Sequence, residues 1–173
     1  CLGILLLISL ISYSPSDPNF IFPENTKIKN ILGFQGSYIS DLFFQSVGLV
    51  SYLISITFIF TGVSIFKKKN AFLFIENTFF VVIYTLIGSL FFSFYFKDVF
   101  PFYINGNGGF IGNYLNRTFI NNTITNYENF FYYFLILAII IFFAISVNFN
   151  IKNFFNLLKR IFAFIFNKQS KNY

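Results

Sequence analysis

Apolar residues fall into four blocks along the chain, separated by stretches rich in Asn, Gly, Ser, Pro and Lys. A helix crossing about 30 Å of hydrocarbon at about 1.5 Å per residue needs about 20 apolar residues in succession. Block 42–66 has that length and no charge, block 79–96 nearly reaches it, and block 130–147 reads FFYYFLILAIIIFFAISV. Block 1–13 is apolar but too short by itself. The pattern predicts an all-α, integral membrane four-helix bundle over 1–147 with a truncated first helix. A basic amphipathic segment follows over 148–173, the start of a linker.

In that last segment Ile151, Phe154, Phe155, Leu158, Ile161, Phe162 and Ile165 recur at three- and four-residue steps. Asn156, Lys159, Arg160, Ala163 and Asn167 lie opposite them. Such a helix lies flat in a membrane interface. Within block 42–66, Gly48, Ser55 and Gly62 recur every seven residues, with Ser51 nearby. Small residues on one face admit a neighbouring helix, more economically one of the same chain than of another subunit.

Composition narrows the class. Of 173 residues, 56% are hydrophobic and 24% aromatic, and 10% are charged, against about 25% in soluble domains. Thirty-one Phe, eleven Tyr and four Pro exclude a disordered or collagen-like chain. The abundance of Phe, Ile, Asn, Lys and Tyr matches an AT-rich coding bias and carries no functional weight. One Cys excludes a disulfide framework and a multi-thiolate metal site, and the absence of His excludes imidazole catalysis and His-ligated metals. No cofactor is expected. The chain starts at Cys1 and contains no Met, which predicts a fragment or processed product rather than a lipoprotein, because apolar residues follow the Cys.

The net charge is +6, and its distribution favours lipid over nucleic acid. Lys67, Lys68 and Lys69 join Lys152, Lys159, Arg160, Lys168 and Lys171 as eight cations on one side of the four spans. Lys27, Lys29, Lys97 and Arg117 make four on the other. The positive-inside rule then places both termini in the cytoplasm and loops 14–40 and 97–128 outside. Lys67, Lys68, Lys69, Lys159 and Arg160 are the expected contacts to anionic head groups.

The first loop opens on Ser14-Pro15-Ser16-Asp17-Pro18, a helix stop and turn. Asp41 is expected at the outer, N-terminal end of the second span, where the helix dipole favours a carboxylate. In the second loop Gly106, Gly108 and Gly109 permit a tight turn. Ile111, Tyr114, Leu115 and Phe119 give an apolar face suited to a helix covering the bundle from outside. No Lys-Ser/Thr follows these glycines, so the phosphate-binding pattern fails. The sequons Asn116-Arg117-Thr118 and Asn121-Asn122-Thr123 match by composition. No ionisable residue lies in the middle of a span, which argues against the alternative of a small transporter or membrane enzyme. Glu76 sits beside the lysines at the start of the third span.

Ser12-Tyr13-Ser14-Pro15-Ser16-Asp17-Pro18 is followed by Asn30-Ile31-Leu32-Gly33, Gly36-Ser37-Tyr38, Ser40-Asp41-Leu42, and Gly48 before Ser51-Tyr52-Leu53. In this order, with Gly108-Gly109-Phe110-Ile111-Gly112 before the last span, the chain resembles the N-terminal four-helix membrane region of FtsK/SpoIIIE-type DNA translocases. The resemblance covers nearly the whole chain. It implies a bacterial inner-membrane anchor at the division septum, with other division proteins and copies of itself as partners. DNA and ATP would be handled by a cytoplasmic hexameric motor beyond a linker. The chain continues only about 26 residues past the last span and carries neither Walker motif nor a winged helix. It is therefore expected to be no enzyme itself.

Overall fold

A backbone in lipid must satisfy its own hydrogen bonds within the segment, so apolar blocks of this length become helices. The computed structural model describes residues 1–18, 27–97 and 105–149, and these form helices, turns and loops with no strand among the described residues. The helices are α1 (Leu2–Ile11), α2 (Gly33–Val47), α3 (Ser51–Lys68), α4 (Phe72–Tyr95), α5 (Gly109–Asn116), α6 (Phe119–Asn126) and α7 (Glu128–Ser146). Among the described residues, three helical stretches are long and apolar enough to cross a membrane: Gly33–Lys68, Phe72–Tyr95 and Glu128–Ser146. The amphipathic reading of 151–165, with Lys159 and Arg160, lies outside the described residues.

Gly33–Lys68 is not one rod. A single 3-10 turn, Gly48–Val50, separates α2 from α3, and Gly48 has φ +65. The expected continuous span 42–66 is therefore corrected: its first residues belong to α2, and the span proper is α3. A positive φ suits glycine, whose missing Cβ removes the steric penalty. The expected seven-residue face is corrected with it. Gly48 sits in the break, Ser55 packs beside Gly3 of α1, and Gly62 has open space where a side chain would be. The third span starts earlier than expected, at Phe72, and the fourth matches α7 within two residues at its start and one at its end.

The long helices pack antiparallel in chain order. Gly3 of α1 meets Ser55 and Ile59 of α3, while the Tyr52 hydroxyl donates to the Leu10 carbonyl at 3.3 Å. The short connection Lys69–Ala71 then returns the chain into α4. Along α4 and α7, Tyr95 and Tyr132 make an edge contact at one end, and Tyr84 and Phe143 make another further along. Near the far end, Asn77 bonds Asn148. Cys1, Lys67–Lys69 and Asn148 consequently share one end of the bundle, the lysine end. Helix α2, the loop residues around Asn30, and α5 close the other, the capped end.

The core beneath the cap gathers Leu6, Leu10, Phe44, Val47, Val50, Ile54, Val81 and Tyr84. A second core of Leu90, Phe91, Ile124 and Leu135 joins α4, α6 and α7. The expected apolar face of α5 is divided: Ile111 and Leu115 pack onto these cores, whereas Tyr114 and, in α6, Phe119 are exposed.

Candidate functional site

The motif residues singled out in the sequence converge at the capped end in two clusters. The first begins where α1 stops. Asp17 is buried, and its two carboxylate oxygens accept the backbone N–H groups of Lys29 and Asn30 at 2.9 and 2.8 Å. Its own N–H donates to the Ser14 carbonyl across exposed Pro15, at 3.1 Å. The Asn30 side-chain amide donates to the Ser9 carbonyl of α1, at 2.9 Å, and its oxygen accepts the Leu32 N–H at the approach to α2. Gly33 opens α2. The Ser37 hydroxyl donates to the buried Pro18 carbonyl at 2.8 Å, and Ser9 donates to the Gly36 carbonyl at 2.6 Å. The helix stop at residues 14–18 is thus also a clamp, because one carboxylate holds two segments of the same loop together.

Asp41 differs from expectation. It lies in the interior of α2 and is buried, so the helix dipole does not account for it. Its Oδ1 accepts from the Tyr13 hydroxyl at 3.1 Å and from the Gln45 amide at 3.4 Å. Gln45 in turn accepts from Asn105 at 3.2 Å, and the Asn105 carbonyl accepts from Asn113 at 2.7 Å. Asn113 then accepts from the Ser93 hydroxyl of α4, at 2.9 Å. One continuous polar chain therefore runs from the end of α1, through α2 and α5, to α4.

The second cluster is built on backbone contact. The Asn107 carbonyl accepts the Leu49 N–H at 2.9 Å, directly beside Gly48, where a Cβ would collide with it. The Asn107 side-chain amide donates to the Phe96 carbonyl. Gly108 and Gly112 lie on one face of α5, at closest approach to Ser89 and Ser93 of α4, and Gly109 faces Ser46 and Gly48. A Cβ at Gly112 would strike the Ser89 carbonyl. Ser89 meanwhile donates to the Val47 carbonyl at 3.0 Å, which ties α4 to the break.

At the opposite end Lys67 and Lys68 occupy the last turn of α3 and Lys69 caps it in the left-handed region, its N–H donating to Ile65 at 2.8 Å. All three are exposed, and cations there suit the negative end of a helix dipole. Glu76 is exposed nearby, on α4.

A further polar set lies between α3, α4 and α7. Buried Thr57 shares hydrogen bonds with the Tyr84 hydroxyl at 3.0 Å and with the Ser146 hydroxyl at 3.1 Å. Asn77 donates to Thr61 at 2.8 Å and accepts from Asn148 at 3.0 Å. Sequence reasoning looked for charges inside the spans and passed over these neutral groups. Their signal was present: Thr57, Thr61, Asn77 and Ser146 interrupt otherwise apolar runs. Polar groups that cannot reach water from a helix in lipid pair across helices instead. Among the described residues no three His, Cys, Asp or Glu group to hold a metal. What the arrangement does is fix helices against one another.

Comparison with known proteins agrees with the motif order. The family described as the 4TM region of DNA translocase FtsK/SpoIIIE matches residues 1–161. DNA translocase FtsK of Rickettsia typhi is 32% identical over 88 residues, covering 51% of this chain and 12% of the relative. The protein of the same name from Rickettsia prowazekii gives the same identity and coverage. That of Rickettsia bellii is 29% identical over 68 residues, covering 39% of the chain and 9% of the relative. The chain thus aligns with a small fraction of the length of these curated relatives. No solved structure matches it. Its apolar helices and this match make it an inner-membrane segment, and with nearly the whole chain covered, it belongs to the four-transmembrane region family of FtsK/SpoIIIE DNA translocases.

Proposed function

We propose that the chain is the membrane-anchoring N-terminal region of a bacterial cell-division DNA translocase. It acts by placement and protein–protein contact. In this reading α1, α3, α4 and α7 are the four legs of the bundle, both termini face the cytoplasm, and the capped end faces outward. Segment 148–173 lies along the cytoplasmic lipid surface, with Lys159 and Arg160 at the head groups. The DNA-translocating activity that the relatives' name carries belongs to a motor joined beyond this region, which hydrolyses ATP, and the anchor holds that motor at the septum among other division proteins and its own copies.

The observation that carries this reading is the family match across residues 1–161. The antiparallel order of the long helices, which returns Cys1 and Asn148 to the lysine end, supports the orientation. The side richer in Lys is the cytoplasmic one by the positive-inside rule. Reporter fusions test it. Fusions after Asn70 and after Tyr173 should report the cytoplasm, and fusions after Asn25 and Asn122 the exterior. An external signal at Asn70 rejects the orientation. Septal fluorescence of the full-length protein that persists after deletion of 1–147 rejects the anchoring role.

A further inference from the structure

Helix α2 exposes bulky apolar side chains while it buries polar ones. Its buried face carries Ser37, Ser40 and Asp41 beside Gly36, all hydrogen-bonded inside the cap or in close contact there, together with Phe44 and Val47 of the core. Its outer face, with the residue just before it, carries Ile31, Phe34, Ile39 and Leu42, which are 74%, 53%, 42% and 49% exposed. Phe34, Ile39 and Leu42 lie on the outward half of the helix, with exposed Gln35 among them, and Ile31 stands just before its start. Asp41 is the one charged residue of α2, and it points inward. A helix at a protein–water surface shows the reverse order, polar side out.

The placement of α2 fits the same reading. Its first turn is held to Ser9, near the end of α1, and its last residue to Ser89, near the end of α4. Its length of about 22 Å at about 1.5 Å per residue therefore runs across the bundle rather than along it. Along α4, Ser89 stands about 25 Å above Phe72 at the lysine end. That height is the far margin of a hydrocarbon layer about 30 Å thick. Helix α5 adds Phe110 and Tyr114 at the same end, both exposed and stacked with centroids 6.5 Å apart. Aromatic and aliphatic groups at that depth match the belt that membrane proteins place at the head-group boundary. Phe60 of α3 and Val82 of α4 are exposed as well.

We propose that the stripe Ile31, Phe34, Ile39 and Leu42 is immersed in the lipid of the leaflet opposite Lys67–Lys69, so that α2 is an interfacial helix and not part of an aqueous loop. This goes beyond the anchoring role and does not depend on it, since the long helices keep their order whichever medium bathes α2.

The chain contains no Trp, so single replacements report their surroundings without background. Phe34→Trp and, as a second site, Leu42→Trp would be made in the whole 173-residue chain and reconstituted in phosphatidylethanolamine–phosphatidylglycerol vesicles. Phe60→Trp serves as the deep reference and Asn70→Trp as the aqueous one. The expected result is blue-shifted emission from Phe34→Trp and Leu42→Trp. Lipids brominated near the head group should quench it more than lipids brominated near the chain end, and iodide several-fold less than at Asn70→Trp. Iodide quenching equal to that at Asn70→Trp at both sites overturns the proposal and places α2 in water. Protection from both quenchers, relieved when the protein is diluted in lipid, also overturns it and assigns the stripe to a second copy.

Discussion

The Asn148 side-chain amide donates to the side-chain oxygen of Asn77 at 3.0 Å, which fastens the residues just past α7 to the lysine end of α4. Asn148 is itself in the left-handed region, at φ +52, a conformation Asn tolerates better than most residues. Asn148 is therefore held in place at the lysine end. Asn148→Ala removes the tie and should cost about 0.5–2 kcal/mol, in line with interhelical hydrogen bonds in membranes. Faster proteolysis after residue 148, with the α1–α3 contact intact by crosslinking, is the expected signature. Unchanged proteolysis would mean that the exit is held by something other than Asn77.

Glycine replacements separate contact positions from open ones. Gly112→Ala drives a methyl group into the Ser89 carbonyl, and Gly48→Ala adds a collision with Asn107 to a backbone conformation disfavoured for Ala. Each should cost about 1–3 kcal/mol. Gly62→Ala meets empty space and should leave detergent stability unchanged or slightly raised by better helix propensity. Equal losses at all three positions in a thermal-stability series would contradict the packing described.

Asp17 holds two backbone N–H groups at once, so Asp17→Ala leaves both without their acceptor. A loss of about 3–6 kcal/mol is expected, since hydrogen bonds to a charged group are worth about 1.5–3 kcal/mol each. Asp17→Asn keeps one acceptor oxygen and should recover part of it. Hydrogen exchange at Lys29 and Asn30 reads the effect directly. It should accelerate in Asp17→Ala and less so in Asp17→Asn.

Between α3, α4 and α7 the hydroxyls of Thr57, Tyr84 and Ser146 act as one set, which predicts non-additive mutations. Thr57→Val removes the shared partner of both others. Tyr84→Phe removes one bond and should cost less, about 0.5–1.5 kcal/mol. The double variant should lose less than the sum of the single losses. Strict additivity in unfolding measurements would show that the hydroxyls act separately.

The sequence was most legible where the chain repeats one simple physical demand. Blocks 79–96 and 130–147 had to become helices because their backbones have no other partner in lipid, and α4 and α7 answer them. The ordered motifs from Ser14 to Gly112 identified the family, and the match over 1–161 bears that out. The break at Gly48 was harder to see, because a glycine within an apolar run reads equally well as a packing contact. Only the approach of Asn107, 59 positions later, fixes it as a turn. Asp41 was misplaced for the same reason, since its helix was assumed to start beside it instead of at Gly33. The neutral groups Thr57, Ser146 and Asn77 became meaningful only once three helices brought them together.

The left-handed turn at Gly48 also sets the parity of the chain. An apolar stretch of 36 residues is longer than one traverse of a bilayer needs. In the proposed topology the fold at Gly48 leaves a single traverse, α3, and lays the remainder sideways. The ends of the described chain then return to the same compartment in that topology. One traverse more would turn the count odd. Cys1 and Asn148 would part to opposite sides, and anything attached after α7 would change compartment relative to the start of the chain. The backbone angle of one residue thus bears on which compartment receives whatever follows.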